Sequence, residues 1–388
     1  MYPGDEIAPQ SQAGAKYLSV TIAAMQGTFD RRHNNFDFIR LALAVLVIFS
    51  HSFPLATGTE DFEPFRLLTR GQVTSGAMAV DLFFIISGFL ITASFERSRS
   101  VWEYLRKRVF RIYPGFILAA CFGVFIALPA SGGLLDGATL ASRVAQFTSS
   151  TLQLHEFRYH GAFPANPYPR LINGSLWSIS VEFWCYIGVA VLGVCGLLRS
   201  KRTLSLLFAV TVIMGVLYDI HRWTPAGGFL ERVVGLPPFY PRLPPMYLAG
   251  ALFYRLRDHL SLDRRWIAAA LVLLCAAMWL PHGWQALFPF AGPYLVLAVA
   301  YHPAIRLHAW SKYGDFSYGT YLYAFPVQQL IMSRFGHKIS PLLLFIIAAP
   351  SAVACAVLSW HLVERWFVKP KQRTEVAPAI AVPTAVQP

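Results

Sequence analysis

The sequence predicts an all-α fold: a polytopic integral membrane bundle of about ten transmembrane helices. Three observations carry this expectation. Of the 388 residues, 55% are hydrophobic and only 14% are charged, well below the roughly 25% charged content of soluble domains. Mean hydropathy is +0.47. The apolar residues also gather into runs of about 20, the length needed to cross the hydrocarbon core of a bilayer. The formal net charge of +13 is compatible with nucleic-acid binding. Basic loops on one side of a membrane explain it without a nucleic acid, and none is expected as a partner.

The spans are expected at about 36–55, 76–95, 110–130, 174–197, 203–219, 242–256, 265–281, 283–300, 315–334 and 342–364. The first run, FDFIRLALAVLVIFSHSFPL, is read as a retained anchor, because residues 1–35 hold no convincing cleavable signal. The sixth to eighth spans are blurred by prolines and short connections. Residues 1–33 and 369–388 are polar or Pro/Ala-rich and are expected to be flexible, which leaves 34–368 as the membrane domain. Ten spans put both termini on one side. Most of the 33 Lys and Arg then fall on that side too, so both termini are expected in the cytoplasm. The densest basic stretch, ERSRSVWEYLRKRVFRIYP, lies between the second and third spans. The longest loop on the far side, about 131–172, carries HEFRYHGAFPANPYPRLINGS. The five cysteines are scattered without a CxxC pair, so neither a disulfide framework nor a zinc site is suggested.

Ionisable residues inside such spans mark candidate functional paths. Arg40 and His51 are eleven positions apart, about three helical turns or ~16 Å along one face. Asp37 precedes Arg40 by three and is placed to pair with it. Arg40 is read either as a boundary anchor or as a site residue, and His51 as an interfacial histidine or a general base near neutral pH. Ser178, Glu182 and Tyr186 form an i, i+4, i+8 stripe. Glu182 needs a partner in the bundle, either an arginine or His51, in a structural ion pair or in the site. Asn173 and Ser175 stand where they could cap that span. Asp81 is expected toward the outer end of its span. His155, Glu156 and His160 lack the HExxH spacing, and no metal is expected. No GxSxG elbow suggests a serine hydrolase. His302, His308 and His361 read as interfacial, with Glu364 and Arg365 as a surface pair.

Five stretches together carry a resemblance: FDFIRLALAVLVIFSH, VDLFFIISGFLIT, LRKRVFRIYP, NGSLWSISVEFWCY and SYGTYLYAFPVQ. In this order they resemble the bacterial acyltransferase-3 family of membrane acyltransferases, which modify cell-surface and secreted sugars such as O-antigen and exopolysaccharide. The likeness covers about residues 34–368, and the family's ten spans agree with the count above. It implies catalytic roles for His51, Arg40 and Glu182. It places donor binding at the RxxR pair Arg108 and Arg111 and at Ser87 and Gly88 of the SGF segment, which is read mainly as packing along the donor path. The span that begins near Asn173 is expected to help form the acceptor pocket through Asn173, Ser178 and Tyr186. Many members carry a histidine after the late SY segment, where this chain reads LYAFPVQQ. Some have a fused extracytoplasmic hydrolase-like domain, for which this chain is expected to have no room.

The implied donor is acetyl-CoA, or another acyl-CoA. Guanidinium groups suit its phosphates through paired charge-assisted hydrogen bonds. The implied acceptor is a hydroxyl of an exported glycan or its lipid-linked precursor, and polysaccharide biosynthesis or export proteins are expected partners. His51 could deprotonate that hydroxyl or itself form an acyl-histidine, and both routes stay open. A transporter of acyl groups or glycan intermediates is the rival from another class. Against it stand the absence of internal repeats and of paired broken helices. Transfer of succinyl or longer groups, or to a non-glycan acceptor, is a lesser reading.

Overall fold

A computed structural model describes residues 34–132, 140–159, 161–221, 241–302, 305, 307 and 313–368. The expected flexible ends, 1–33 and 369–388, lie outside the described residues, as do His160 and His308. The chain is all-helical, with no β-strand among the described residues. The helices are α1 Phe36–Thr57, α2 Pro64–Leu68, α3 Ser75–Glu96, α4 Val101–Cys121, α5 Leu140–Leu152, α6 Trp177–Val194, α7 Lys201–His221, α8 Leu243–Leu256, α9 Arg264–Trp279, α10 Gly283–Tyr301, α11 Ser317–Phe335 and α12 Pro341–Ser359. Two of them run on through π-helical turns, α4 through Phe122–Ala127 and α12 through Trp360–Glu364.

Seven of the described helices are long and apolar enough to cross a membrane: α1, α3, α6, α7, α10 and the extended α4 and α12. Three more helices fall where spans were expected. Two are short: α8 has 14 residues and α9 has 16, or about 21 and 24 Å at 1.5 Å per residue. The third, α11, has 19 residues but buries Thr320, Gln328 and Gln329.

Side-chain caps begin several helices. Thr74 accepts from the Ala77 amide, Ser100 from Glu103 and Ser340 from Leu343, each satisfying one of the amides a helix start leaves open. α4 starts at Val101, well before the expected edge at 110, so the basic RxxR motif lies inside the helix, in its second and third turns. α1 is central and packs on α3, α11 and α12. It runs antiparallel to α3, with Phe36 beside Phe89 (ring centroids 6.0 Å apart) and Ser50 against Gly76.

The tightest contact is α3 on α8. An ideal Cβ on Gly88 would lie 1.9 Å from the Tyr247 carbonyl oxygen, and one on Gly250 would lie 2.0 Å from that of Ile85. Two backbones meet directly there, as small residues permit in membrane helices. Outward-facing residues such as Leu206, Ile213, Leu217, Ile346 and Leu358 are exposed apolar groups, as expected where the neighbour is lipid.

Candidate active site

A cavity of about 940 Å³ opens among α1, α3, α4, α6 and α11. Of the residues expected in the site, Arg40, Ser87, Arg108, Arg111, Ser178, Glu182 and Tyr186 line it. Gly88, Asn173 and His51 do not line it.

Among the arginines that line it are Arg40 of α1 and Arg108 and Arg111 of α4. Arg40 pairs with Asp37 through Nη2, as the spacing predicts, and the same nitrogen lies 3.2 Å from Asp315 Oδ2. Arg111 Nη2 donates to that oxygen at 2.6 Å. Asp315 Oδ1 accepts from Ser317 Oγ at 2.6 Å. One carboxylate thus ties together α1, α4 and the start of α11. Burial alone would raise the Asp315 carboxyl, but Arg111 and Arg40 outweigh it and hold the group below the usual carboxylate range. The preceding Gly314 has φ +127°, and an ideal Cβ there would lie 2.4 Å from Trp360 Nε1. Only glycine both adopts that angle and leaves room for the indole.

Arg108 sits differently. Its guanidinium faces the rings of Tyr104 and Tyr186, 5.9 and 5.8 Å from the centroids. Among the described residues its one polar contact is Ser94 Oγ at 3.5 Å, and no carboxylate is within ion-pair distance. Arg40 Nε, Arg108 Nε and Arg111 Nη1 are all buried without a hydrogen-bond partner among the described residues. Buried donors left unmatched are costly, and here three of them belong to cavity-lining side chains.

Deeper in, the expected stripe on α6 is present. Glu182 Oε1 accepts from Tyr186 Oη at 2.6 Å and from Ser87 Oγ at 2.8 Å. The expected ion pair with an arginine or His51 is absent among the described residues, and two hydroxyls take its place. The Tyr321 hydroxyl donates to the Ser175 carbonyl at 2.8 Å and lies 2.7 Å from Ser178 Oγ, which donates to it. Phe83 packs edge-on to Tyr321, centroids 6.1 Å apart.

His51 stands beyond this inner end. Its ring meets Phe325 edge-on at 5.6 Å, and Nδ1 is buried without a partner. Along α3 the lining stops at Val80, while the level of His51 is marked by Gly76, which packs on Ser50. Those four positions amount to about 6 Å.

Several expectations are corrected. Gly88 lies in the α3–α8 seam, so it serves packing and does not touch the cavity. Asn173 and Ser175 do not cap α6, whose N-cap position is Leu176. Asn173 Nδ2 instead donates to the Leu322 carbonyl at 2.7 Å, tying the preceding loop to α11. Glu364 is buried on Ser359 Oγ at 2.7 Å, and Arg365 lies over the Trp366 ring, so the two do not form a surface pair. His361 lines the cavity. Asp81, near the start of α3, is fully buried on Arg242 and on Trp284 Nε1 (2.9 Å). His155 is half-buried, and burial lowers its pKa. Among the described residues no group of three or more His, Cys, Asp or Glu stands together.

The sequence reading missed Asp315, Tyr318 and Tyr321. One signal was available. Arg40 and Arg111 are two buried cations, and Asp37 balances only one, so a second carboxylate had to come from elsewhere in the chain.

The apolar helices make the bundle a multi-pass membrane protein with an arginine-lined internal cavity. Residues 33–361 match the acyltransferase domain family, acyltransferase-3, and the chain belongs to it. The protein is thus a multi-pass membrane acyltransferase. It is 26% identical over 365 residues to an O-acetyl transferase of Shigella phage Sf6, covering 87% of this chain and 96% of that one. It is 29% identical over 358 residues to nodulation protein 10 of Rhizobium leguminosarum bv. viciae, covering 86% and 92%. No solved structure matches it.

Proposed function

We propose that the protein transfers an acetyl group from acetyl-CoA to a hydroxyl of a cell-surface or exported glycan, or of its lipid-linked precursor. The carrying observation is the three buried, unpartnered guanidinium nitrogens of Arg40, Arg108 and Arg111 on one internal cavity. Charge-assisted hydrogen bonds to phosphate would satisfy them. From Ser94, beside Arg108, to Val80 is 14 positions along α3, about 21 Å, a length suited to an extended pantetheine arm. Phe83, Phe84 and Tyr321 crowd the inner end, which favours a small acyl group. The name of the phage relative supports acetyl as that group.

In this reading His51 takes the proton of the acceptor hydroxyl. The oxygen attacks the thioester carbonyl, the C–S bond breaks, and the CoA sulfur leaves and takes up a proton. The alternative is acyl transfer first to the imidazole and then to the hydroxyl. Glu182, held by Ser87 and Tyr186, shapes the cavity wall between arginines and thioester. Ser178 and Tyr186 sit where acceptor or pantetheine atoms would pass. The chain would lie in a bacterial inner membrane with both termini and the arginine end of the cavity cytoplasmic, facing the donor pool. The helices α8, α9 and α11 would complete ten spans. Enzymes of polysaccharide assembly or export would supply the acceptor.

The test uses membranes containing wild type or His51→Ala at matched levels, supplied with acetyl-labelled acetyl-CoA. Label is expected in extracted glycan with wild type and not with the variant. Equal labelling in both would remove His51 from the reaction, and absence of label in both would count against the donor and acceptor together.

A further inference from the structure

The RxxR motif suggests two equivalent donor-binding arginines, yet their surroundings differ. Arg111 and Arg40 share the Asp315 carboxylate, and Arg40 also holds Asp37. Among the described residues two carboxylates, Asp37 and Asp315, stand within ion-pair distance of these two cations. Arg108, one turn away, faces two tyrosine rings and has no carboxylate.

We infer that Asp315 is a positioning residue, which clamps Arg40 and Arg111 across α1, α4 and α11 and leaves Arg108 as the member of the pair that supplies net positive charge to the donor. The inference rests on the proposed acyl-CoA donor for the role of Arg108. It rests on geometry alone for the clamp. Three features support the clamp. Asp315 uses both oxygens, one on the two arginines and one on Ser317. The Arg111 guanidinium is sandwiched against Tyr318, 5.2 Å from the ring centroid, and the Tyr318 hydroxyl donates back to the Ile112 carbonyl of α4 at 2.9 Å. Gly314, placed by Trp360, fixes the approach of the carboxylate. The clamped arginines still present Nε of Arg40 and Nη1 of Arg111 as unmatched donors. They would therefore orient a bound phosphate through hydrogen bonds whose geometry Asp315 sets. Arg108 would attract it.

The two roles separate in kinetics. Losing an attraction felt equally by bound donor and transition state raises KM and spares kcat. Losing orientation lowers kcat, because a misplacement of about 1 Å costs as much as a hundredfold. The experiment compares Arg108→Gln, Asp315→Asn and Asp315→Glu with wild type in purified, lipid-embedded enzyme using acetyl-CoA. Arg108→Gln is expected to raise donor KM about tenfold or more with kcat changed less than about threefold. Asp315→Asn is expected to lower kcat more than about tenfold with donor KM nearly unchanged, and Asp315→Glu to restore part of it. If Asp315→Asn lowers donor KM, Arg40 and Arg111 are donor ligands that Asp315 only occupies, and the inference is overturned. An Asp315→Asn enzyme with wild-type kinetics, or with the KM effect of Arg108→Gln, overturns it as well.

Should wild type transfer no acetyl, the functional reading fails while the clamp is judged by thermal unfolding of Asp315→Asn, Arg111→Gln and the double variant. A double variant more stable than the summed losses predict supports the clamp. Simple additivity refutes it.

Discussion

Gly88→Ala is expected to loosen the bundle and leave donor recognition intact. The added Cβ would sit 1.9 Å from the Tyr247 carbonyl oxygen, where ordinary contact begins near 3.4 Å. The shortfall is about 1.5 Å, and the obstacle is backbone, which has no rotamer to change. Overpacking of this kind costs about 1–3 kcal/mol and occasionally more, and a backbone obstacle belongs at the upper end. Helix propensity returns about 1 kcal/mol to alanine over glycine. The net loss is then about 2 kcal/mol or more, which lowers the apparent Tm by about 2–3 °C or more for a chain of this size. The assay is thermal unfolding of purified protein in a mild detergent, paired with CoA binding by the folded fraction at low temperature. Gly250→Ala, whose Cβ would lie 2.0 Å from the Ile85 carbonyl oxygen, is expected to behave alike. A Gly88→Ala protein with unchanged Tm and lost CoA binding would refute the packing argument and return Gly88 to the donor site.

His51→Ala is expected to reduce acyl transfer about 10²–10⁴-fold while CoA affinity changes less than about threefold. Its position beyond the cavity's inner end demands this split, and parallel loss of binding would contradict it. Asp81→Ala leaves Arg242 with the Ala77 carbonyl as its remaining partner and is expected to cost about 3 kcal/mol. That is the low end for a broken buried pair, because Arg242 keeps 22% exposure; thermal unfolding reads it. Asp315 gives a pH signature. Its folded-state pKa is depressed by Arg111 and Arg40 against the effect of burial. Its contribution is therefore complete above the unfolded carboxylate value of about 3.9 and fades as pH falls through the lower folded value. The stability gap between wild type and Asp315→Asn is expected to stay constant from about pH 8 to pH 5 and to narrow only below about pH 4. A gap that closes between pH 8 and pH 5 would mean the clamp depends on another group.

Local spacing carried much of the site. The i, i+3 pair of Asp37 and Arg40 and the i, i+4 pair of Glu182 and Tyr186 are properties of one helix, and both are present as hydrogen-bonded contacts. What spacing could not supply was the partner on another helix. Asp315 meets Arg111 across 204 positions, and Ser87 meets Glu182 across 95. No period along the chain encodes either meeting. The reading of the SGF segment mainly as packing holds for Gly88, but spacing does not say which neighbouring backbone the glycine admits. Asn173 failed for a related reason. Its side chain suits a cap, but the Leu322 carbonyl of α11 competes for it and wins. Hydropathy found the apolar helices readily. It reads α11 weakly because that helix spends its positions on buried polar contacts, such as Gln328 to Ser52 and Gln329 to Asn166.

The seam between α3 and α8 has a mechanical consequence. Two rods that touch main chain to main chain cannot roll about their own axes or slide by a fraction of a turn without colliding. They therefore behave as a single stiff beam, and Ser87, on the cavity side of that beam, keeps a fixed station. Breathing of the cavity has to be borne by its other walls, among them α4, α6 and the extended α12. Two of those three rods contain a π-turn, at Phe122–Ala127 and at Trp360–Glu364, where one surplus residue per turn already relaxes the ladder of hydrogen bonds. Stiffness and compliance thus lie on opposite banks of the same channel.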